Sequence, residues 1–203
     1  MPAVPQSGLS FRIDEPVVLV GAGALVLWFL SERLMQLFGL RQSKAPNRER
    51  LSWYWFLLSN YGAFLFPLFD AGTYHWSTVG PVLAPARWVG VPLVLAGIGI
   101  RLVSRLALGK QFSGHVQTTQ GHRLITTGIY RSIRHPAYLG YLCLLLGFPI
   151  CFGSVAGFAW AILSGIPALL YRIRIEEAAL ERWFPGEYQR YQTTTHKLIP
   201  GLW

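Results

Sequence analysis

Charge is scarce in this chain. Asp, Glu, Lys and Arg make up 13% of its 203 residues, where a soluble domain carries about 25%. With 52% of residues hydrophobic, that deficit excludes an ordinary soluble globule and points to a membrane protein. Acids are scarcer than bases, 9 against 18. In a soluble protein this balance would point to nucleic acid. Here no charged, aromatic-laced soluble region remains once the apolar runs are set aside, so no nucleic-acid partner is expected. Cysteine is nearly absent. Cys143 and Cys151 would lie about 12 Å apart on one helix, too far for a disulfide. The five histidines, His75, His115, His122, His135 and His196, include no closely spaced pair, so no metal is expected. Signatures of nucleophilic and nucleotide chemistry are missing as well. There is no G-x-S-x-G, no P-loop and no complete G-x-G-x-x-G. Residues 1–16 hold Arg12 beside Asp14 and Glu15, not the basic start of a signal peptide. The run from Val17 is therefore expected to be a retained span.

What is present is a succession of apolar runs. The first covers 17–30 and continues as helix to 40 past Glu32 and Arg33, which are expected to snorkel. A second span covers 51–69 and opens on Trp53, Tyr54 and Trp55, an interfacial belt. A third covers 88–103 and ends in Arg101 and Arg105, spaced four apart on one face. Residues 104–134 are too polar to cross a bilayer and are expected to form an interfacial helix and loop. Runs at 137–152 and 154–171 are joined at Gly153, so tightly that a helical hairpin is expected, closed by Gly153 and Gly157. The tail reads as helix to about Trp183, a turn at Pro185–Gly186 and a short helix around Tyr188. The expected fold is all-α and polytopic. It has about five transmembrane helices and a single integral membrane domain: 1–105 with three spans, 106–203 with the hairpin and tail.

Lysine and arginine orient it. Segments 31–50, 101–136 and 172–203 hold every basic residue except Arg12 and Arg87. Five spans with the N-terminus outside put all three segments in the cytoplasm, as the positive-inside rule requires. The membrane would be an inner membrane in a prokaryote or the endoplasmic reticulum in a eukaryote.

The stretch 121–140, GHRLITTGIYRSIRHPAYLG, differs from the apolar blocks around it. Pro136 marks a helix start, with His135 near the N-cap. Unpaired amides and the helix dipole there are expected to suit an anion, with Arg131 and Arg134 adding to the field. Arg172 and Glu176 share a helix face four residues apart. A solvated ion pair is the commoner reason for that spacing, but both segments face the same compartment and can meet.

These two segments, GHRLITTGIYRSIRHPAYLG and RIRIEEAALERWFPGEYQRY, resemble the isoprenylcysteine carboxyl methyltransferases, integral membrane enzymes within a wider phospholipid methyltransferase group. The resemblance covers about 109–200. It implies S-adenosylmethionine as methyl donor and a lipophilic acceptor from the bilayer, with membrane lipids as surroundings and a cytosol-facing site. Matching positions for the cofactor are Gln117, His122, Arg123, Leu124, Ile125, Tyr130, His135, Pro136, Ala137, Tyr138 and Glu176. Arg172 matches the arginine assigned to the substrate, and Arg172 and Glu176 are the expected catalytic pair. The spacer TTQG between Gln117 and His122 is shorter than in eukaryotic members. Carboxyl methylation of an isoprenylcysteine-like acceptor is the leading expectation. Alternatives are methylation of a phospholipid amine or a thiol, an NADPH-dependent reductase of the sterol reductase type, and a non-catalytic protein that binds lipid or a partner.

Overall fold

Seven α-helices and three short tight or widened turns make up the described part of the chain. The computed structural model describes residues 16–38, 47–71, 76–79, 81–109 and 123–201. Helix α1 runs Pro16–Phe38 and α2 Asn47–Phe69. A 3-10 helix, Pro81–Val89, feeds α3, Gly90–Leu108. After a second 3-10 turn, Gly128–Arg131, comes α4, Pro136–Phe152. Then follow α5, Val155–Trp160, a π-helical turn, Ala161–Gly165, and α6, Ile166–Trp183. Helix α7, Glu187–Thr194, lies in the tail.

The all-α expectation holds; of the five expected spans, three reach the length and hydropathy of a crossing. Three stretches among the described residues are long and apolar enough to cross a membrane: Pro16–Leu34, Pro85–Leu108 and Val155–Trp183. Helix α2 is 23 residues long, but its polar start and the ring- and Asn-bearing residues within it dilute its hydropathy. Helix α4 is apolar but has 17 residues, near the lower limit for a bilayer.

Helices α3 and α4 pack closest. Gly90 and Gly97 on α3 face Gly147 and Gly140 on α4. A Cβ at Gly97 would lie 2.8 Å from the Gly140 carbonyl oxygen, and one at Gly90 would meet the Gly147 carbonyl at 2.5 Å. Backbone meets backbone at both levels, which only small residues permit. The order of the pairs makes the two helices antiparallel. Gly157 does not play the part expected of it: its close neighbour is Pro67 of α2. Gly153 is the left-handed residue that ends α4, with φ 65°, a conformation that costs glycine little. The core between the helices is aromatic. Trp28 meets Phe64 edge-on at 4.5 Å between centroids, and Phe64 meets Phe148 at 5.3 Å.

Polar side chains gather at two ends. At one, the buried Asp70 accepts from the hydroxyls of Ser77 and Ser154 (2.6 Å from Ser154), while Arg87 Nε donates to the Cys151 carbonyl at 3.1 Å. Ser154 also accepts from the Gly157 amide at 3.0 Å and so caps α5. The start of α4, the end of α6 and the tail meet at the other end.

Candidate active site

Pro136 has no N–H to lose and a fixed φ, so the helix begins there and leaves His135 at the N-cap. The His135 ring is 3% exposed. Its Nδ1 lies 3.9 Å from Glu176 Oε1 and its Nε2 3.4 Å from Glu177 Oε1. Neither is a well-formed hydrogen bond, and Nε2 has no hydrogen-bond partner among the described residues. One turn into α4, the Tyr138 hydroxyl donates to Glu176 Oε2 at 2.6 Å. Arg172, one turn before Glu176 and 2% exposed, lies close enough to Tyr138 to act on its phenol. The start of α4 and the C-terminal half of α6 therefore do meet, and they bring His135, Tyr138, Arg172 and Glu176 together. Tyr130 joins them. It is 7% exposed, and burial followed by the negative charge of Glu176 pushes its phenol upward. That phenol stays protonated at neutral pH.

The expected anion site at the start of α4 is smaller than the sequence implies. The His135 amide donates to the Lys197 carbonyl at 3.1 Å, and the amides of Tyr138 and Leu139 turn back to the His135 carbonyl. Arg134 does not add to the field there either. Its Nε pairs with Glu177 at 3.2 Å and its Nη1 donates to Gln192 and Thr195 carbonyls. The helix dipole remains available to an anion, but these amides are engaged.

Of the other expected positions, Gln117 and His122 lie outside the described residues. Arg123 is exposed and Leu124 and Ile125 are half-buried, outside regular secondary structure; none of the contacts above involves them. Pro136 is buried and Ala137 half-buried in the first turn of α4.

Three features went unread in the sequence. Glu177 is a hub: besides Arg134 and His135 it takes Lys197 Nζ at 2.8 Å and the Tyr188 hydroxyl at 3.4 Å. The tail is a strap. The His196 amide donates to the Ser132 carbonyl at 2.9 Å, and the His196 carbonyl accepts from the Arg134 amide at 2.8 Å. The Tyr191 hydroxyl donates to the Tyr130 carbonyl; burial pushes that phenol up to about 12, against the pull of Arg134. Glu32 does not snorkel. Its Oε1 takes Arg101 Nε at 2.9 Å and Nη2 at 2.7 Å, and its Oε2 takes Arg105. A charged residue in an apolar helix is expected to find a partner, and the i,i+4 arginines on α3 were the available ones. Among the described residues, no group of three or more His, Cys, Asp or Glu is placed to hold a metal ion.

The family model for phospholipid methyltransferases matches residues 85–187, half of the chain. The chain belongs to the phospholipid methyltransferase family. The match takes in α3, the whole Tyr130–Tyr138 segment, and α4 to α6 with Arg172, Glu176 and Glu177. Among characterised family relatives, the protein-S-isoprenylcysteine O-methyltransferase of Dictyostelium discoideum is 33% identical over 57% of this chain and 49% of its own length. That of Saccharomyces cerevisiae (strain ATCC 204508 / S288c) is 31% identical over 69% of this chain and 57% of its own. The matched region thus spans only about half of these relatives. A solved structure of a eukaryotic intramembrane Ras methyltransferase, isoprenylcysteine carboxyl methyltransferase, shares the fold, with a TM-score of 0.62. It is 21% identical, and the match covers 94% of this chain and 70% of that one.

Proposed function

We propose that this family member is an S-adenosylmethionine-dependent membrane methyltransferase whose acceptor is a lipophilic carboxylate of the isoprenylcysteine type. The observation that carries the reading is the Tyr138–Glu176 hydrogen bond beside the buried Arg172. It joins a phenol, a carboxylate and a guanidinium at the end of the bundle where α4 begins. The names of the relatives point to the same reaction.

The residues fit such a donor. When bound, S-adenosylmethionine supplies a methyl group made electrophilic by a sulfonium. Tyr130 and Tyr138 offer ring faces to that cation. Glu176, with about a third of its side chain exposed, can accept from an amino group or a ribose hydroxyl. His135, buried beside both Glu176 and Glu177, sets one wall of the site. Arg172 holds the acceptor. A carboxylate is ionised at neutral pH, so its attack on the methyl carbon needs no general base from the protein. What the chain contributes is alignment and exclusion of water.

The reading includes a topology. Five crossings, with α4 and the α5–α6 unit as a hairpin, put the site and the C-terminus in the cytoplasm and the N-terminus outside, in one membrane domain. The site would then sit at the bilayer edge, where a lipophilic acceptor can present its polar end.

Titration of the purified protein with S-adenosylhomocysteine, and labelled methyl transfer to prenylcysteine analogues, phosphatidylethanolamine and small thiols, test the proposal. Transfer to the prenylcysteine carboxylate is expected. Glu176→Gln should weaken donor binding about ten- to a hundredfold, the cost of a lost hydrogen bond to a charged group. Arg172→Lys should leave donor affinity within about twofold and lower transfer at least about tenfold, because an ammonium cannot reproduce a bidentate fork. Absence of donor binding by the unaltered protein would sink the reading; transfer only to an amine or thiol would move it to another acceptor.

A further inference from the structure

We infer that Arg101, oriented by Glu32, is a positioning residue that fixes the first turns of α4 and thereby the aim of Tyr138 at Glu176. Its side chain, 5% exposed, crosses from α3 to both neighbouring helices. One edge of the guanidinium is taken by Glu32 of α1. Nη1 reaches the other way and donates to the Ala137 carbonyl at 3.0 Å. Its Cζ lies 3.5 Å from the centroid of the Tyr141 ring. Its aliphatic stem occupies the space at Gly140, where a Cβ would fall 2.6 Å from Arg101 Cγ. Residues 137, 140 and 141 form one turn of helix, so a single side chain grips that turn at a carbonyl, a ring and a bare backbone. Tyr138 lies within it.

Arg105 supplies the contrast. It shares Glu32, and its charge is felt at Tyr141 of α4, an effect that a lysine there would keep. Arg101 repeats the link to Glu32 and adds a hydrogen bond to the Ala137 carbonyl, the face of Tyr141 and the space at Gly140. Burying a second guanidinium is costly unless its donors are used. Here the donors run to the helix that carries His135 and Tyr138. A lysine would keep the charge opposite Glu32, but it has no planar fork to serve the carboxylate, the carbonyl and the ring at once.

The inference rests on the proposed donor site for its consequence, not for its geometry, and two measurements separate the two. The first is amide hydrogen exchange of the full chain in detergent or nanodiscs. Arg101→Lys is expected to speed exchange over 135–142 relative to the rest of α3 and α4. Arg105→Lys is expected to leave 135–142 as in the parent. The second is affinity for S-adenosylhomocysteine: about tenfold weaker in Arg101→Lys, and within twofold of the parent in Arg105→Lys. Lysine is used because alanine would leave Glu32 uncompensated and risks unfolding the bundle. Unchanged exchange over 135–142 in Arg101→Lys, or an equal loss of affinity in both variants, overturns the inference. If the parent protein binds no donor, the proposed function fails, and the exchange measurement alone decides the clamp.

Discussion

Glu176 and Glu177 are neighbours in sequence and point to different tasks. Consecutive residues on a helix are about 100° apart, so one carboxylate faces Tyr138 and the other faces the tail. Glu176 keeps about a third of its side chain exposed, whereas Glu177 is 10% exposed and compensated by Arg134 and Lys197. Removing the Glu177 charge leaves two cations facing a neutral amide. Glu177→Gln should therefore cost about 3 kcal/mol, a fall of about 6–12 °C in apparent Tm for a chain of this size. Glu176→Gln should cost under about 1 kcal/mol while weakening the donor site. A thermal shift assay on both variants checks this. The i,i+4 spacing of Arg172 and Glu176 could be read from the sequence. The load on Glu177 could not, because its partners come from positions 134, 188 and 197, and no local spacing encodes them.

At the scale of elements, the seam between α3 and α4 carries the site's geometry. Its glycines stand seven apart on each helix, 90 and 97, 140 and 147, a spacing that keeps both on one face. That pattern is visible in the chain, yet periodicity shows which face is small and not which helix will occupy it. Gly153 and Gly157 take separate parts: one ends α4 and the other receives α2. Gly97→Ala would push a Cβ to 2.8 Å from a backbone oxygen that cannot yield cheaply. It should destabilise by about 1–3 kcal/mol, and by displacing α4 it should also weaken donor binding. Gly99→Ala is the control. No atom lies within 4 Å of its would-be Cβ, so alanine there should be neutral or stabilise by up to about 1 kcal/mol. Apparent Tm and donor affinity of the pair separate packing from helix propensity.

At the scale of the molecule, the contacts between the helix ends bear on the number of crossings. Arg134 before α4 touches Glu177 near the end of α6, and Glu32 late in α1 touches Arg101 and Arg105 late in α3. Those ends therefore share one pole. Asp70 after α2 touches Ser154 before α5, and Arg87 before α3 touches Cys151 late in α4, so these share the other. Such a pairing fits the proposed five passes between the poles, although α2 and α4 fall short of a span on hydropathy or length alone. Three passes would set residue 76 on the same side as residue 182; five set them on opposite sides. On the proposed topology the pole with Arg134 and the tail faces the cytoplasm. The distribution of Lys and Arg along the sequence carries that expectation, while the strap of 196–197 along 132–135 was hidden by the sixty residues between its halves. A single-cysteine labelling experiment decides between the topologies. In a background with Cys143 and Cys151 replaced by alanine, Trp76→Cys and Arg182→Cys each present an exposed site. With a membrane-impermeant maleimide on intact cells or sealed vesicles of known orientation, Trp76→Cys should label from the outside. Arg182→Cys should label only after permeabilisation. Protection of both positions until permeabilisation would put residue 76 in the cytoplasm, reduce the crossings to three, and leave the contacts of Arg134 with the tail and of Asp70 with Ser154 without a bilayer that could separate them.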